Sequence, residues 1–129
     1  MIPDAEGFRL LPDHLDRLRQ QELAALVAGI AEEAPFMRYA MPRTGRPFSI
    51  DMTNAGVQGW IADRQSYRYS PVHPVTGRPW PAIPVPLLDL WRNLTGYPHD
   101  PECCLINHYR GEGAKLSLHR DEDEEAKDA

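Results

Sequence analysis

Thirteen prolines in a chain of 129 residues constrain the backbone more than any other feature, and they cluster between Pro35 and Pro101. Proline fixes its own φ, lacks an amide proton and pushes the preceding residue out of the helical region. That stretch is therefore expected to hold turns and short strands rather than long helices. The length suits one domain, and the apolar content of 42% is ordinary for a globular protein.

Ahead of the proline-rich stretch, residues 13–34 have the pattern of one helix. Asp13 can cap it, Leu15, Leu18, Leu23, Leu26, Val27 and Ile30 recur at helical spacing, and Pro35 ends it. In "PFSIDMTN", Phe48, Ile50 and Met52 alternate with Ser49, Asp51 and Thr53, which predicts a strand with one buried face. "NAG" is expected to turn the chain, and "QSYRYSP" alternates again with Tyr67 and Tyr69 on one side. "PVHPVTGRPWP" holds too many prolines for a central strand and is expected to be a long shaped loop. A second helix is expected over 84–95, with proline at its start, Leu87, Leu88, Trp91 and Leu94 inward, and Gly96 as its stop.

Two strands should follow. "ECCLINHY" sends Cys103, Leu105, Asn107 and Tyr109 to one face and Cys104, Ile106 and His108 to the other, and "RGEGA" turns the chain. "KLSLHRD" then places Ser117, His119 and Asp121 on one face. The fold class is mainly β with flanking helices (α+β). Adjacent Cys103 and Cys104 point to opposite faces, so they suit neither a metal clip nor a mutual disulfide, and reduced, buried thiols are expected.

The net charge of −5 comes from the tail, where Asp121, Glu122, Asp123, Glu124, Glu125 and Asp128 face only Lys127. Residues 38–78 instead carry six arginines against two acids, with Tyr39, Phe48, Trp60, Tyr67 and Tyr69 among them. Such a stretch can hold phosphates and stack bases, or it can be an ordinary arginine-rich surface over buried aromatics. The start "MIPDAEGFRL" has no basic or apolar leader region, and no apolar run could span a bilayer. A cytoplasmic, soluble protein with no membrane partner is the expectation.

His-x-Asp occurs twice. In His14-Leu15-Asp16 a helix would point the two side chains apart, so that pair cannot chelate one ion. In His119-Arg120-Asp121 a strand would point them the same way, as two thirds of a two-histidine, one-carboxylate iron site or as the start of an acidic tail.

The blocks M-T-N-x-G-x-x-G-W, Y-x-Y-S-P and W-P-x-x-P, and I-N-x-Y followed ten residues after Tyr109 by H-x-D-x-D, together resemble the bacterial AlkB family. These are Fe(II)- and 2-oxoglutarate-dependent dioxygenases that repair alkylated nucleic acid bases. The likeness runs from about residue 47 to residue 125. It implies a double-stranded β-helix, or jelly roll, and divides the chain into a helical and linking segment, 1–46, and a nucleotide-recognition and first jelly-roll segment, 47–129. It also implies His119 and Asp121 as ligands of Fe(2+), and Asn107 and Tyr109 as contacts of the co-substrate 2-oxoglutarate. Trp60, Tyr67 and Tyr69 would bound the pocket for the damaged nucleotide, with Met52 as apolar lining and Asp123 on the flipped base. Apart from the resemblance, Lys115 and the rim arginines, Arg68 among them, are candidate phosphate partners by their charge. Each has a plainer alternative: Trp60 as a core anchor, Tyr67 and Tyr69 as a surface pair, Asn107 as a turn-facing polar group, Asp123 as one solvated charge among several. In this family O2 and 2-oxoglutarate oxidise the N-alkyl carbon at iron, with release of succinate and CO2, and the unstable product sheds formaldehyde. Because the alkylated ring atom is hidden in a duplex, the base must be flipped out and held between aromatic rings. Alkylated single- or double-stranded DNA is the implied partner, with RNA open, and a monomer is expected when complete.

Two departures stand out. The family's N-R-Y is here Asn107-His108-Tyr109, with His108 expected to face away from its neighbours. No histidine follows Asp121, whereas the family's second iron histidine and its 2-oxoglutarate arginine lie downstream of H-x-D. The expectation is a partial jelly roll lacking its later strands, truncated, marginally folded, weak in iron binding and inactive alone. A catalytically dead nucleic-acid-binding protein and one half of a split enzyme are the alternatives.

Overall fold

A computed structural model of the chain describes residues 7–116. Their elements are α1 (Arg17–Glu33), β1 (Asp51–Gly56), β2 (Gly59–Ala62), β3 (Tyr67–Ser70), α2 (Val85–Thr95) and β4 (Cys103–His108). β1 pairs antiparallel with β4, and β2 with β3. The result is a mixed helix-and-strand architecture with small antiparallel sheets.

α1 starts later than the leucine spacing suggests. Asp13 sits at φ 58°, in the left-handed region, and cannot cap. Asp16 does so instead, its Oδ1 accepting the Arg19 amide at 2.8 Å. His14 therefore precedes the helix. The apolar stripe is only lightly used: Ile30 is the buried residue of α1, and Leu18 is 74% exposed.

β1 differs from the expected strand with one buried face, since Asp51 through Ala55 are all buried. On one side Thr53 Oγ1 donates to the Ala34 carbonyl at 2.6 Å, which seats the end of α1 on the strand. On the other, Met52 joins a core with Tyr39, Ile50, Ile61, Ala62 and Trp80. Met37 bridges to Met52 along the edge of β1 opposite β4, its N–H donating at 2.7 Å and its carbonyl accepting at 2.8 Å. Strand β1 is thus flanked on both edges as well as covered on both faces.

Asn54, Ala55 and Gly56 do not turn the chain; they remain in β1 paired with Leu105, Cys104 and Cys103. The turn falls at Val57 and Gln58, and β2, unforeseen from the sequence, follows at once. The constraint is visible at Gly56, at φ 123°, where a Cβ would lie 2.2 Å from the Glu102 carbonyl oxygen. β4 therefore needs a glycine to pass this close.

The proline-rich loop after β3 is shaped by buried groups. His73 is 1% exposed; its Nδ1 accepts from the amides of Val75 and Thr76 at 3.1 and 3.2 Å, so Nε2 carries the proton it donates to the Pro35 carbonyl at 2.8 Å. Trp80 is buried with its Nε1 donating to the Ser70 carbonyl at 2.8 Å. α2 ends on Gly96 in the left-handed conformation, as the sequence suggested. Its inward face is not buried, however: Leu94 is 51% exposed, and Leu87, Leu88 and Trp91 are half-buried.

Candidate functional site

The β1–β4 register decides which side chains share a face. Met52 lies opposite Asn107, and Asn54 opposite Leu105, whereas Asp51 lies opposite His108. Met52, Asn54, Cys103, Leu105 and Asn107 therefore face one way, and Asp51, Thr53, Ile106 and His108 the other. His108 does face away from Asn107, with its ring 5.2 Å from that of Phe36. Beside it the buried Asp51 carboxylate holds Arg38 Nε at 2.9 Å and Arg110 Nη2 at 3.1 Å.

The Asn54 side chain is fully buried and ties β1, β2 and β4 together. Its Nδ2 donates to the Trp60 carbonyl and its Oδ1 accepts the Trp60 amide, both at 3.0 Å, while Cys103 Sγ donates to the same Oδ1 at 3.3 Å. Trp60 is thus positioned by its backbone, and its half-buried ring is left to meet other rings. The indole stacks on Tyr67 at 5.3 Å and on Phe48 at 6.2 Å, with Tyr39 edge-on at 6.3 Å. Phe48 and Tyr67 are themselves only 6.4 Å apart, so they crowd one side of the indole rather than sandwiching it. Their spacings are those of directly packed rings, and no slot for a base lies between Trp60 and Tyr67.

In the β2–β3 register Tyr69 lies opposite Trp60, and Tyr67 opposite Ala62, so both tyrosines share the Trp60 side of the hairpin. Arg68, between them, points the other way, and its Nη2 pairs with Asp63 Oδ2 at 2.7 Å. The Arg68 guanidinium, with the Gln65 and Ser66 amides, holds the Asp63 carboxyl well below the usual carboxylate range. A cavity of about 460 Å³ beside Tyr67 is lined by Met41, Pro42, Arg43, Thr44, Ser66 and Tyr67. Lys115 is exposed and fixed through its backbone: its N–H donates to Ser49 Oγ at 3.0 Å, and that hydroxyl donates to its carbonyl at 2.9 Å.

Among the described residues, three buried polar atoms have no hydrogen-bond partner: Tyr39 Oη, Arg68 Nη1 and Asn107 Oδ1. A buried amide oxygen left unpaired costs about 1–3 kcal/mol. Tyr109, just beyond the end of β4, is 53% exposed. His119, Asp121 and Asp123, and the strand predicted to carry them, lie outside the described residues; Lys115 and Leu116, at its start, are not in a strand. Among the described residues no three His, Cys, Asp or Glu side chains gather as a metal site. Cys103 and Cys104 are half-buried thiols, and burial pushes the Cys104 pKa upward.

Of the residues singled out from the sequence, Trp60, Tyr67 and Tyr69 come together on one side of the hairpin, and Met52 shares a face with Asn107. Sequence reasoning missed Asn54, and it named Phe48 and Tyr39 only among the aromatics of the arginine-rich stretch, not as partners of Trp60.

This combination of an aromatic platform with an unsatisfied amide on a neighbouring strand coincides with a match of residues 7–129 to the 2OG-Fe(II) oxygenase superfamily model. The chain belongs to that superfamily, which implies Fe(II), 2-oxoglutarate and O2 as its chemistry. It is similar to the alpha-ketoglutarate-dependent dioxygenase AlkB homolog of Caulobacter vibrioides, 46% identical over 118 residues, covering 92% of this chain and 53% of the relative. The AlkB dioxygenase of Escherichia coli is 43% identical over 108 residues, or 81% of this chain and 49% of the relative, and that of Salmonella typhimurium is 41% identical. The chain spans about half the length of these relatives.

Proposed function

We propose that this chain forms the base-binding wall and the 2-oxoglutarate-contacting strand of an AlkB-type dioxygenase that removes alkyl groups from nucleic acid bases. The observation that carries this reading is the grouping of Trp60 and Tyr67, on a hairpin fastened by Asn54 to the sheet that bears Met52 and Asn107, with Phe48 packed against both rings from the segment before β1. The fold that goes with it is the first part of a jelly roll, with 47–129 as its recognition and barrel segment.

Trp60 stacks on a flipped base, and Met52 forms the apolar floor. Tyr67, Tyr69 and the rim cations Arg43 and Lys115 hold the neighbouring backbone, and Asp123 meets the base edge. Arg68, paired with Asp63 and partly exposed, adds positive charge to the hairpin for a phosphate. The Asn107 amide and the Tyr109 hydroxyl bind 2-oxoglutarate, and His119 with Asp121 holds Fe(2+). When bound, iron with O2 and 2-oxoglutarate supplies the oxidation of the N-alkyl carbon. The protein's part is to orient that carbon and exclude water. Alkylated DNA, single- or double-stranded, and RNA are the substrates this pocket would accept, in a cytoplasmic setting.

The test is binding. A labelled single-stranded oligonucleotide with one N-methylated base should bind this chain more tightly than its unmodified twin. Trp60→Ala should weaken that binding at least about tenfold, the loss of one base stack. Equal affinity for both oligonucleotides would refute the base-pocket reading.

A further inference from the structure

Tyr39 is 4% exposed, yet its hydroxyl has no hydrogen-bond partner. A buried phenol normally finds one. Burial also pushes its pKa upward, so the group stays protonated and can donate.

Its location follows from the pairing. Met37 bridges antiparallel to Met52, so Tyr39, two residues on, falls beside Ile50 and on the same side as Met52. Tyr39, Ile50 and Met52 share one buried cluster, and the Tyr39 ring stands edge-on to Trp60 at 6.3 Å. The side chain is therefore on the face that carries Met52 and Asn107, with its ring edge-on to the indole. Asn107 is on the far side of β1, two strand spacings away, or about 10 Å. One carboxylate cannot bridge that span at backbone level, so the two orphans call for two ligands.

We propose that the Tyr39 hydroxyl hydrogen-bonds the polar edge of a base lodged against Trp60 and Met52, and so helps select which base is accepted. The inference rests on the base-pocket reading above. A base has acceptors and donors along its edge while its face stacks, which is the chemistry a phenol beside an indole can meet. The hydroxyl stays unpaired without substrate and is satisfied when the base enters.

Tyr39→Phe removes one oxygen and keeps the ring. With the labelled methylated oligonucleotide, affinity should fall about five- to tenfold, the range of one hydrogen bond. Binding of 2-oxoglutarate, titrated separately, should not change. The thermal midpoint should hold or rise, because the unliganded protein loses no bond. Unchanged oligonucleotide affinity with a raised midpoint would overturn the proposal and leave Tyr39 as an uncompensated core phenol. A loss of 2-oxoglutarate affinity in its place would overturn the assignment to the base. A wild-type chain that does not prefer the methylated oligonucleotide would overturn both this inference and the reading beneath it, whereas preference kept by Tyr39→Phe would overturn this inference alone.

Discussion

In the β1–β4 pair the inner strand is covered on both faces, from Asp51 at 7% exposed to Ala55 at 0%, and its polar side chains Thr53 and Asn54 are satisfied by backbone groups of other segments. In the β2–β3 hairpin the burial is uneven: Ile61 and Ala62 of β2 are buried, while Tyr67 is 43% exposed and Trp60 and Tyr69 are half-buried. The first pair is a fixed frame and the second a surface that presents rings. The difference shows where this chain invests in rigidity. It locks the strand behind the candidate pocket and leaves the pocket's aromatic wall only partly covered. Asn54 joins the two, because it belongs to the frame but holds the backbone of Trp60.

Breaking that join should have the largest effect. Asn54→Ala strands the amide and the carbonyl of Trp60 and opens a small void in a fully buried place. Two unpaired backbone groups and the void should cost about 3–4 kcal/mol, seen as a lower urea midpoint. The ring stack of Trp60 with Tyr67 should loosen at the same time, with loss of near-ultraviolet circular dichroism. A cost below about 1 kcal/mol would mean that the frame and the hairpin are held together by something other than Asn54.

The seam behind the hairpin can be tested more gently. Trp80 lies over Gly59, where a Cβ would meet its ring at 2.2 Å. Gly59→Ala must move either the indole or β2 and should cost about 1–3 kcal/mol, with a shift in tryptophan emission. The same change at Gly29 in α1 meets nothing within 4 Å and should stabilise by about 0.5–1 kcal/mol. Equal effects at the two sites would mean that the seam is not tightly packed.

What the sequence disclosed divides along the same line. The alternation of Tyr67 and Tyr69, the Gly96 stop and the opposed faces of Asn107 and His108 were legible because each follows from local period or local backbone preference. Burial of β1 on both faces was not, since it depends on Ala34 folding back onto Thr53 and on Arg38 and Arg110 pairing with Asp51. The run Asn54-Ala55-Gly56 looked like a turn because those residues favour one; pairing with β4 overrides that preference. Asn54 itself was hidden by the same error, for a turn asparagine bonds its own neighbourhood, whereas this one bonds across strands. The iron ligands were legible only through resemblance, and His119 and Asp121 lie outside the described residues.

The smallest expected effect concerns the tip of the hairpin. Asp63 caps the β2–β3 turn by accepting the Gln65 and Ser66 amides at 2.9 and 3.2 Å, and it pairs with Arg68. Its carboxyl is held below the ordinary range in the folded chain. A lowered folded pKa means that the contribution is complete above the unfolded aspartate value of about 3.9 and fades as the pH falls below it. Both partners are exposed, so the effect should be slight and should shrink with added salt. Carbon-13 titration of the Asp63 carboxyl should show it still ionised where ordinary aspartates have taken up a proton. Asp63→Asn, which keeps the turn acceptor, should abolish the acid sensitivity of the hairpin's tyrosine signals without unfolding β1. A carboxyl that titrates in the ordinary range would mean that Arg68 is free of it. The hairpin would then owe its shape to the ring stack and to Asn54.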